Sequence, residues 1–257
     1  MSSIPEILRA VQHRPWLLPR RPWIMVQTWH DLLFAHWRLA PQVLRPLVPE
    51  QLELDLYDGS AWVAVAPFWM SGVRARGLPP LPGLSRFPEL NVRTYVTLGG
   101  KPGVFFFSLD AANPAAVCSA RVAYHLPYYH ARMRTERCGE AVHYGCERLQ
   151  GPRTAEFRSQ YRPLSPVFHS EAGSLEHFLT ERYCLYAVRG RQTWRGEIHH
   201  VPWPLQRAEA VIEKNTMASA VGLELPNEAP HLLFARELKV LVWWPEKART
   251  QHPLSSP

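Results

Sequence analysis

The sequence predicts an α+β protein that is mostly antiparallel β-sheet with a few short packed helices. Apolar and polar residues alternate over much of the chain, turns rich in Gly and Pro separate these stretches, and segments with helical spacing are short. Of the 257 residues, 46% are hydrophobic, which is enough for a packed core. Hairpins continue on both sides of the Pro-rich segments, so we expect one domain over residues 1–257, with residues 1–22 and 246–257 peripheral.

Two hairpins begin the predicted sheet. Residues 52–56 alternate between apolar and polar, turn at Gly59 and return as the apolar residues 61–70. Residues 92–98 then pair with residues 104–109 around a turn of Gly and Pro. The Pro-rich residues 77–90 that separate the two hairpins are interpreted as a long surface loop or a lid.

The rest of the chain alternates short helices with strands. Asn113 is the predicted N-cap of one helix, and the proline that follows it is the first residue of that helix. Ser174 is the predicted N-cap of another helix. Residues 155–162 alternate as a strand with one polar face, and a hairpin turns near Gly190. Residues 231–244 are a last long strand.

Composition excludes several classes of protein. The net charge is +7, but the basic residues form no run, which argues against nucleic acid as a partner. The four cysteines include no CxxC pair and no N-terminal stretch resembles a signal peptide, so we expect a cytoplasmic protein. No apolar run approaches the ~20 residues of a membrane helix. The spacing of Cys138, His143 and Cys146 matches no common zinc pattern, so we expect neither a metal nor a cofactor.

Several motifs together resemble the acetoacetate-decarboxylase-like superfamily. "RLAPQVLRPLVPEQLELD" is similar to its opening, "FPEL" to its Pro-Glu motif, and "ARVAYHLPYYHARM" to its Lys-containing signature. "HWRLAP", "ELNVRTYV", "GVFFFSLDA", "LTERYCLYA" and "HHVPWPLQ" resemble more closely a bacterial YqjF-type family of unknown function within that superfamily. The resemblance spans roughly Trp29 to Trp244 and implies a closed or curved β-sheet with an internal cavity.

The resemblance also argues against the superfamily's best-known chemistry. Its signature carries two lysines, one of which forms a Schiff base with a ketone, and those positions are Tyr128 and Tyr129 in this sequence. Val122 follows Arg121 where the signature has Glu. A phenol cannot form an imine, so Schiff-base decarboxylation is not expected.

The remaining polar residues of the implied site suit acid–base chemistry or ligand binding. The candidates for proton transfer are Glu89, Tyr128 and His130. The candidates for substrate binding are Arg38, Arg93, Arg121, Tyr129, His200 and Trp203. Strand alternation puts Tyr128 and His130 on one face and Tyr129 on the other, and we favour the first face. The alternatives are a buried Arg38–Glu89 ion pair and tyrosines that only form a wall.

A second group of polar residues lies in "TERY" and "EIHHVPWP". Adjacent histidines on a strand point to opposite faces, so only one of His199 and His200 can enter a cavity. We favour His200 because Trp203 lies close to it in the sequence, and a structural histidine is the alternative.

Three classes of function remain open from the sequence. The first is a protein that binds a small carbonyl or carboxylate compound in an internal cavity. The second is an enzyme with lyase- or isomerase-type acid–base chemistry on a small oxo acid. The third is a non-catalytic oligomeric scaffold or nucleic-acid-associated protein. In each case we expect a homo-oligomer, because an antiparallel sheet rich in aromatic residues needs its edges covered.

Overall fold

The computed structural model of the protein describes residues 2–114, 117 and 125–248. Within these residues it contains a 13-stranded sheet. The strands are β1 (Met25–Leu39), β2 (Glu53–Leu54), β3 (Ala61–Ala75), β4 (Phe87–Leu98), β5 (Lys101–Ala111), β6 (Tyr128–Cys138), β7 (Ala141–Arg148), β8 (Glu156–Pro163), β9 (Cys184–Arg189), β10 (Gln192–His199), β11 (Leu205–Asn215), β12 (His231–Val242) and β13 (Glu246–Lys247).

The described helices are short, as the sequence predicts. They are α1 (Ile4–Arg9), α2 (Pro41–Leu44) and α3 (Leu175–Thr180), with 3₁₀ turns at Arg45–Leu47 and Ser219–Val221. Ser174 caps α3 by accepting a hydrogen bond from the His177 N–H at 3.2 Å. The helix predicted after Asn113 falls largely outside the described residues. No described helix is both long and apolar enough to cross a membrane.

The sheet closes on itself twice, because β5 and β12 each divide between two neighbours. Strand β5 pairs with β9 near Val104 and with β6 near Leu109, both times in parallel. Strand β12 pairs with β11 near Phe234 and with β10 near Leu241. The small circuit therefore runs through β1, β3, β4, β5, β9, β10 and β12, and the large circuit replaces β9 and β10 with β6, β7, β8 and β11.

The large circuit has a packed core. Side chains of β1, β3, β4, β7 and β8 form its buried cluster, which includes Leu33, Val63, Val92, Tyr144 and Phe157. All of the other described pairings in the sheet are antiparallel, so the predicted fold class is confirmed.

A bulge at Asp31 divides β1 into two parts, whose side chains contribute to the two circuits. Asp31 has a φ of 47°, and the pairing with β3 shifts register between His30 and Ala35. Before the bulge Trp29 lines the cavity of the small circuit, whereas beyond it Ala35 belongs to the large-circuit core. The Asp31 carboxylate holds the bulge by accepting hydrogen bonds from Trp69 at 3.0 Å and Arg236 at 2.6 Å.

The first predicted hairpin is wrong in its pairing, although its turn is present. Strand β2 is only two residues long and pairs with β4, as in the Leu54–Val96 pair, while a single Tyr57–Ser60 bridge closes the turn. Both edges of β3 are already occupied, by β1 and β4, so residues 52–56 have no edge of β3 to join. The predicted loop also ends earlier than expected, because β4 begins at Phe87.

Candidate functional site

A cavity of about 140 Å³ lies inside the small circuit. Most of its lining surface is apolar, and the lining side chains come chiefly from β1, β4, β5, β9, β10 and β12. Its polar and polar-aromatic lining residues are Gln27, Trp29, Glu89, Arg93, Tyr128, Thr180, Arg182, His200 and Trp203. A concave, largely apolar space with a few polar groups is typical of a small-molecule site.

Glu89 and Tyr128 form a hydrogen-bonded pair in this cavity. Glu89 is only 4% exposed, and Tyr128 Oη donates to its Oε2 at 2.9 Å. Burial raises the pKa of Glu89 to about 8, although the hydrogen bond from Tyr128 acts in the opposite direction. At neutral pH the carboxyl group is therefore mostly protonated. Because Tyr128 occupies Oε2, the proton is available on Oε1 for donation.

The raised pKa of Glu89 predicts a pH-dependent stability. Its ordinary value is 4.5 and its folded value is about 8, so between them the unfolded chain releases a proton that the folded protein retains. The free energy of unfolding should therefore fall as pH rises through this window, by roughly 3–5 kcal/mol in total. The free energy of unfolding of the Glu89→Gln variant should not fall in this way, because glutamine does not titrate. Urea unfolding of both proteins from about pH 5 to about pH 9 measures the difference, and parallel profiles would contradict the prediction.

Arg93 brings a buried positive charge to the cavity. It lies two strand positions beyond Asn91 and four beyond Glu89 on β4, and its guanidinium carbon is 5.3 Å from the Phe34 ring centre. In the described part of the chain it makes no ion pair with a carboxylate, and its Nε has no hydrogen-bond partner. Arg182, which also lines the cavity, differs because Asp55 neutralises it. Arg93 is thus the uncompensated cation of the described lining.

His200 supplies a hydrogen-bond acceptor. Its Nδ1 lies 2.7 Å from the Val201 carbonyl oxygen, which can only accept, so Nδ1 carries the hydrogen and Nε2 has a lone pair. Burial lowers the pKa of His200, which keeps the ring neutral at pH 7. Within the described chain Nε2 has no partner. The ring stacks on Tyr183, with centroids 4.8 Å apart.

Trp203 adds a donor beside His200. The two ring centroids are 5.3 Å apart, and the indole Nε1 is buried without a partner among the described residues. The Trp203 backbone N–H donates to Glu181 Oε1 at 2.9 Å, and Tyr183 donates to the other oxygen of the same carboxylate. One buried carboxylate therefore orients both aromatic neighbours of His200.

The structure separates the two tyrosines of the signature. Tyr128 lines the cavity, whereas the Tyr129 ring lies 4.0 Å from the Arg148 guanidinium carbon and does not line it. Arg148 in turn forms two hydrogen bonds of 2.7 Å with Asp110. Adjacent residues of a strand face opposite sides, so Tyr129 is no ligand group for this cavity.

Two other candidates lie away from the cavity. Arg38 is exposed and donates from Nε to Ser60 Oγ at 2.6 Å, so both its predicted place in the site and the Arg38–Glu89 ion pair are wrong. Arg38 shares a strand face with Phe34 and His36, but it lies at the end of β1, where that face reaches solvent. His130 is half-buried and does not line the cavity, because β6 leaves the cavity after Tyr128. Arg121 lies outside the described residues.

Of the two adjacent histidines, His200 lines the cavity and His199 does not. His199 Nε2 lies 2.9 Å from the Ile7 carbonyl oxygen, outside the small circuit's lining. Sequence reasoning missed Gln27 and Trp29, which bond to each other through Trp29 Nε1 and Gln27 Oε1 at 2.9 Å. The alternation of residues 25–29 was the available signal. Across the described ranges, no three His, Cys, Asp or Glu side chains group closely enough to hold a metal ion.

Comparison with solved structures defines the class of fold. The chain is similar to the enduracididine biosynthesis enzyme MppR complexed with the condensation product of pyruvate and imidazole 4-carboxaldehyde, with a TM-score of 0.64 and 11% identity over 90% of this chain and 92% of that one. It is also similar to acetoacetate decarboxylase from Legionella pneumophila, with a TM-score of 0.60 and 12% identity over 98% and 99% of the two chains. The fold is therefore acetoacetate-decarboxylase-like.

Comparison with sequences identifies the family. Residues 26–239 match the DUF2071 family, described as an uncharacterized conserved protein. The chain is 49% identical over 226 residues to the uncharacterized protein YqjF of Bacillus subtilis (strain 168), which covers 88% of this chain and 93% of that protein. The chain belongs to the DUF2071 family, and the resemblance found in its motifs is confirmed.

Proposed function

We propose that the protein binds a small 2-oxo carboxylate inside the small circuit and catalyses its enolisation by acid–base chemistry. One observation carries the proposal: a buried Arg93 without an ion pair in the described chain shares a cavity with a protonated carboxyl group. A buried guanidinium without a carboxylate partner is costly in the empty protein and suits a carboxylate ligand, which it can hold through two parallel hydrogen bonds.

The other polar groups have roles that fit enolisation. Glu89 donates its proton to the carbonyl oxygen of the ligand, while Tyr128 fixes the orientation of the Glu89 carboxyl group. His200 Nε2 accepts the proton released when the C3–H bond breaks, and the electron pair of that bond forms the C2=C3 double bond of the enol. A neutral imidazole with a free lone pair is suited to this task at neutral pH.

Two further observations support an oxo acid without a Schiff base. No lysine is among the described residues that line the cavity, so the ligand carbonyl has no amine to condense with. The structural neighbour MppR is complexed with a product formed from pyruvate, a 2-oxo acid, in a similar fold. A non-catalytic carrier of the same ligand is the second candidate, since the same Arg93 would retain the carboxylate without any proton transfer.

Hydrogen exchange at C3 of an oxo acid tests the proposal. In deuterated water the wild-type protein should accelerate exchange of the C3 hydrogens of 2-oxobutanoate, measured by proton NMR. Glu89→Gln should slow the catalysed exchange about 100-fold or more, and Tyr128→Phe should slow it less because the acid remains present. Tyr129→Phe is the matched control and should exchange at the wild-type rate. Binding of 2-oxobutanoate without any exchange would favour the carrier.

We also infer that the chain forms a single domain in the cytoplasm and self-associates. The continuous sheet supports a single domain, and exposed apolar side chains such as Val211 at the surface of β11 support self-association. Analytical ultracentrifugation tests the self-association, and a sedimentation coefficient of a 29.5 kDa monomer at all concentrations would overturn it.

A further inference from the structure

We infer that the ligand is a monocarboxylate whose remaining part is apolar and about the size of a phenyl ring, and that the cavity rejects a second charged group. This inference rests on the proposed function, because it assigns the carboxylate to Arg93 and adds the chemistry of the other end of the ligand. It follows from the charges, the walls and the volume of the cavity.

The charges of the described lining leave room for one anion. Arg93 has no ion pair there, whereas Arg182 is bound to Asp55 and also donates from Nε to the Phe178 carbonyl oxygen at 2.6 Å. Glu89 is mostly protonated at pH 7, and burial keeps His200 neutral by lowering its pKa. A second carboxylate of a ligand would therefore be desolvated without a free cation to compensate it.

The walls away from the polar groups are apolar. Met25, Val242 and Ile198 are paired neighbours on three adjacent strands, so they form one continuous wall. Aromatic side chains extend the apolar surface, since Trp29 and Trp203 stack with centroids 5.8 Å apart. The other apolar lining residues are Val104, Phe106, Leu109, Leu126 and Leu185. A polar ligand tail would lose its hydrogen bonds to water against these walls, whereas an aromatic tail would gain from burial.

The volume sets the size of the apolar part. A cavity of about 140 Å³ has room for roughly ten water molecules or a similar number of ligand atoms other than hydrogen. Pyruvate would fill only about half of that space, which would leave the apolar wall uncovered. A 2-oxo acid with a phenyl-sized side chain matches both the volume and the wall.

Calorimetric titration of the full-length protein at pH 7 with four probes tests the inference. Phenylpyruvate should bind about 100-fold more tightly than pyruvate. Each additional buried carbon raises the affinity about fourfold, and the entropy lost when the ligand is ordered offsets part of this gain. The dicarboxylate 2-oxoglutarate and the uncharged phenylacetone should each bind at least about 30-fold more weakly than phenylpyruvate. These three ratios together are the expected result.

A variant locates the apolar part at the wall. Val242→Phe should weaken phenylpyruvate binding about tenfold or more by filling its space, and it should reduce the difference in affinity between phenylpyruvate and pyruvate. If this variant does not fold, the four-probe series on the wild-type protein decides the question alone.

The possible failures are distinguishable. Equal affinity for pyruvate and phenylpyruvate, tight binding of 2-oxoglutarate, or tight binding of phenylacetone would overturn the inference. The proposed function would survive the first two of these results, because the 2-oxo carboxylate would still bind. If none of the oxo acids binds and none exchanges its C3 hydrogens, both the inference and the proposed function are overturned.

Discussion

Replacement of Arg93 with methionine should abolish carboxylate binding without destabilising the protein. Loss of a buried charged partner costs a ligand about 2–5 kcal/mol, which corresponds to a roughly 30- to 5,000-fold weaker affinity. The empty protein, by contrast, buries the guanidinium without an ion pair in the described chain, so an apolar side chain of similar length should leave the free energy of unfolding unchanged or raise it. Calorimetric titration and urea unfolding measure the two effects on the same samples.

Arg38→Met is the matched control for this prediction. Arg38 is exposed and contacts Ser60 rather than the cavity, so the same substitution should change neither ligand affinity nor stability by much. If Arg93→Met instead lowers the free energy of unfolding by several kcal/mol, Arg93 is a structural residue. If Arg93→Met retains wild-type affinity, the carboxylate binds elsewhere.

Removal of the Asp110 carboxylate should strongly destabilise the protein. Asp110 and Arg148 are almost fully buried and share two hydrogen bonds of 2.7 Å. Burial raises the pKa of Asp110, and the bonds from Arg148 act against that rise. Asp110→Ala leaves the Arg148 guanidinium buried without its partner, which should cost about 3–5 kcal/mol in the free energy of unfolding.

An exposed ion pair on the same hairpin provides the control for this second prediction. Arg132 on β6 and Glu147 on β7 lie 3.0 Å apart with side chains mostly in solvent. Glu147→Ala should therefore change the free energy of unfolding by less than about 1 kcal/mol. Urea unfolding of both variants gives the comparison, and equal losses would show that burial does not govern the strength of these pairs.

Local patterns in the sequence were sufficient for most of the strands and turns. The hairpin between β4 and β5 turns at Gly99 and Gly100, which have positive φ values of 57° and 73°, and the next predicted hairpin turns at Gly190. These elements are readable because alternation and turn chemistry act between residues that are close in the sequence. The pairing of β2 with β4 could not be predicted from the sequence, since it depends on which edge of the sheet is free.

The sequence also singled out several residues that line the cavity. The sequence alone makes five of the lining residues candidates, namely Glu89, Arg93, Tyr128, His200 and Trp203. Motif resemblance brought in Glu89 and Tyr128, and strand alternation favoured Tyr128 over its neighbour. The same reasoning failed for Arg38, because alternation gives the face of a strand but not the depth at which a residue lies along it.

By itself, the sequence determined the class of fold, the absence of the Schiff-base lysines from the signature and the types of side chain available for chemistry. Only the tertiary structure decided which of those side chains meet. The double closure at β5 and β12 forms the cavity, and the bulge at Asp31 separates Trp29, which lines it, from Ala35, which belongs to the large-circuit core. Arg93 matters because no described carboxylate reaches it, and such a fact depends on residues far apart in the chain rather than on local pattern.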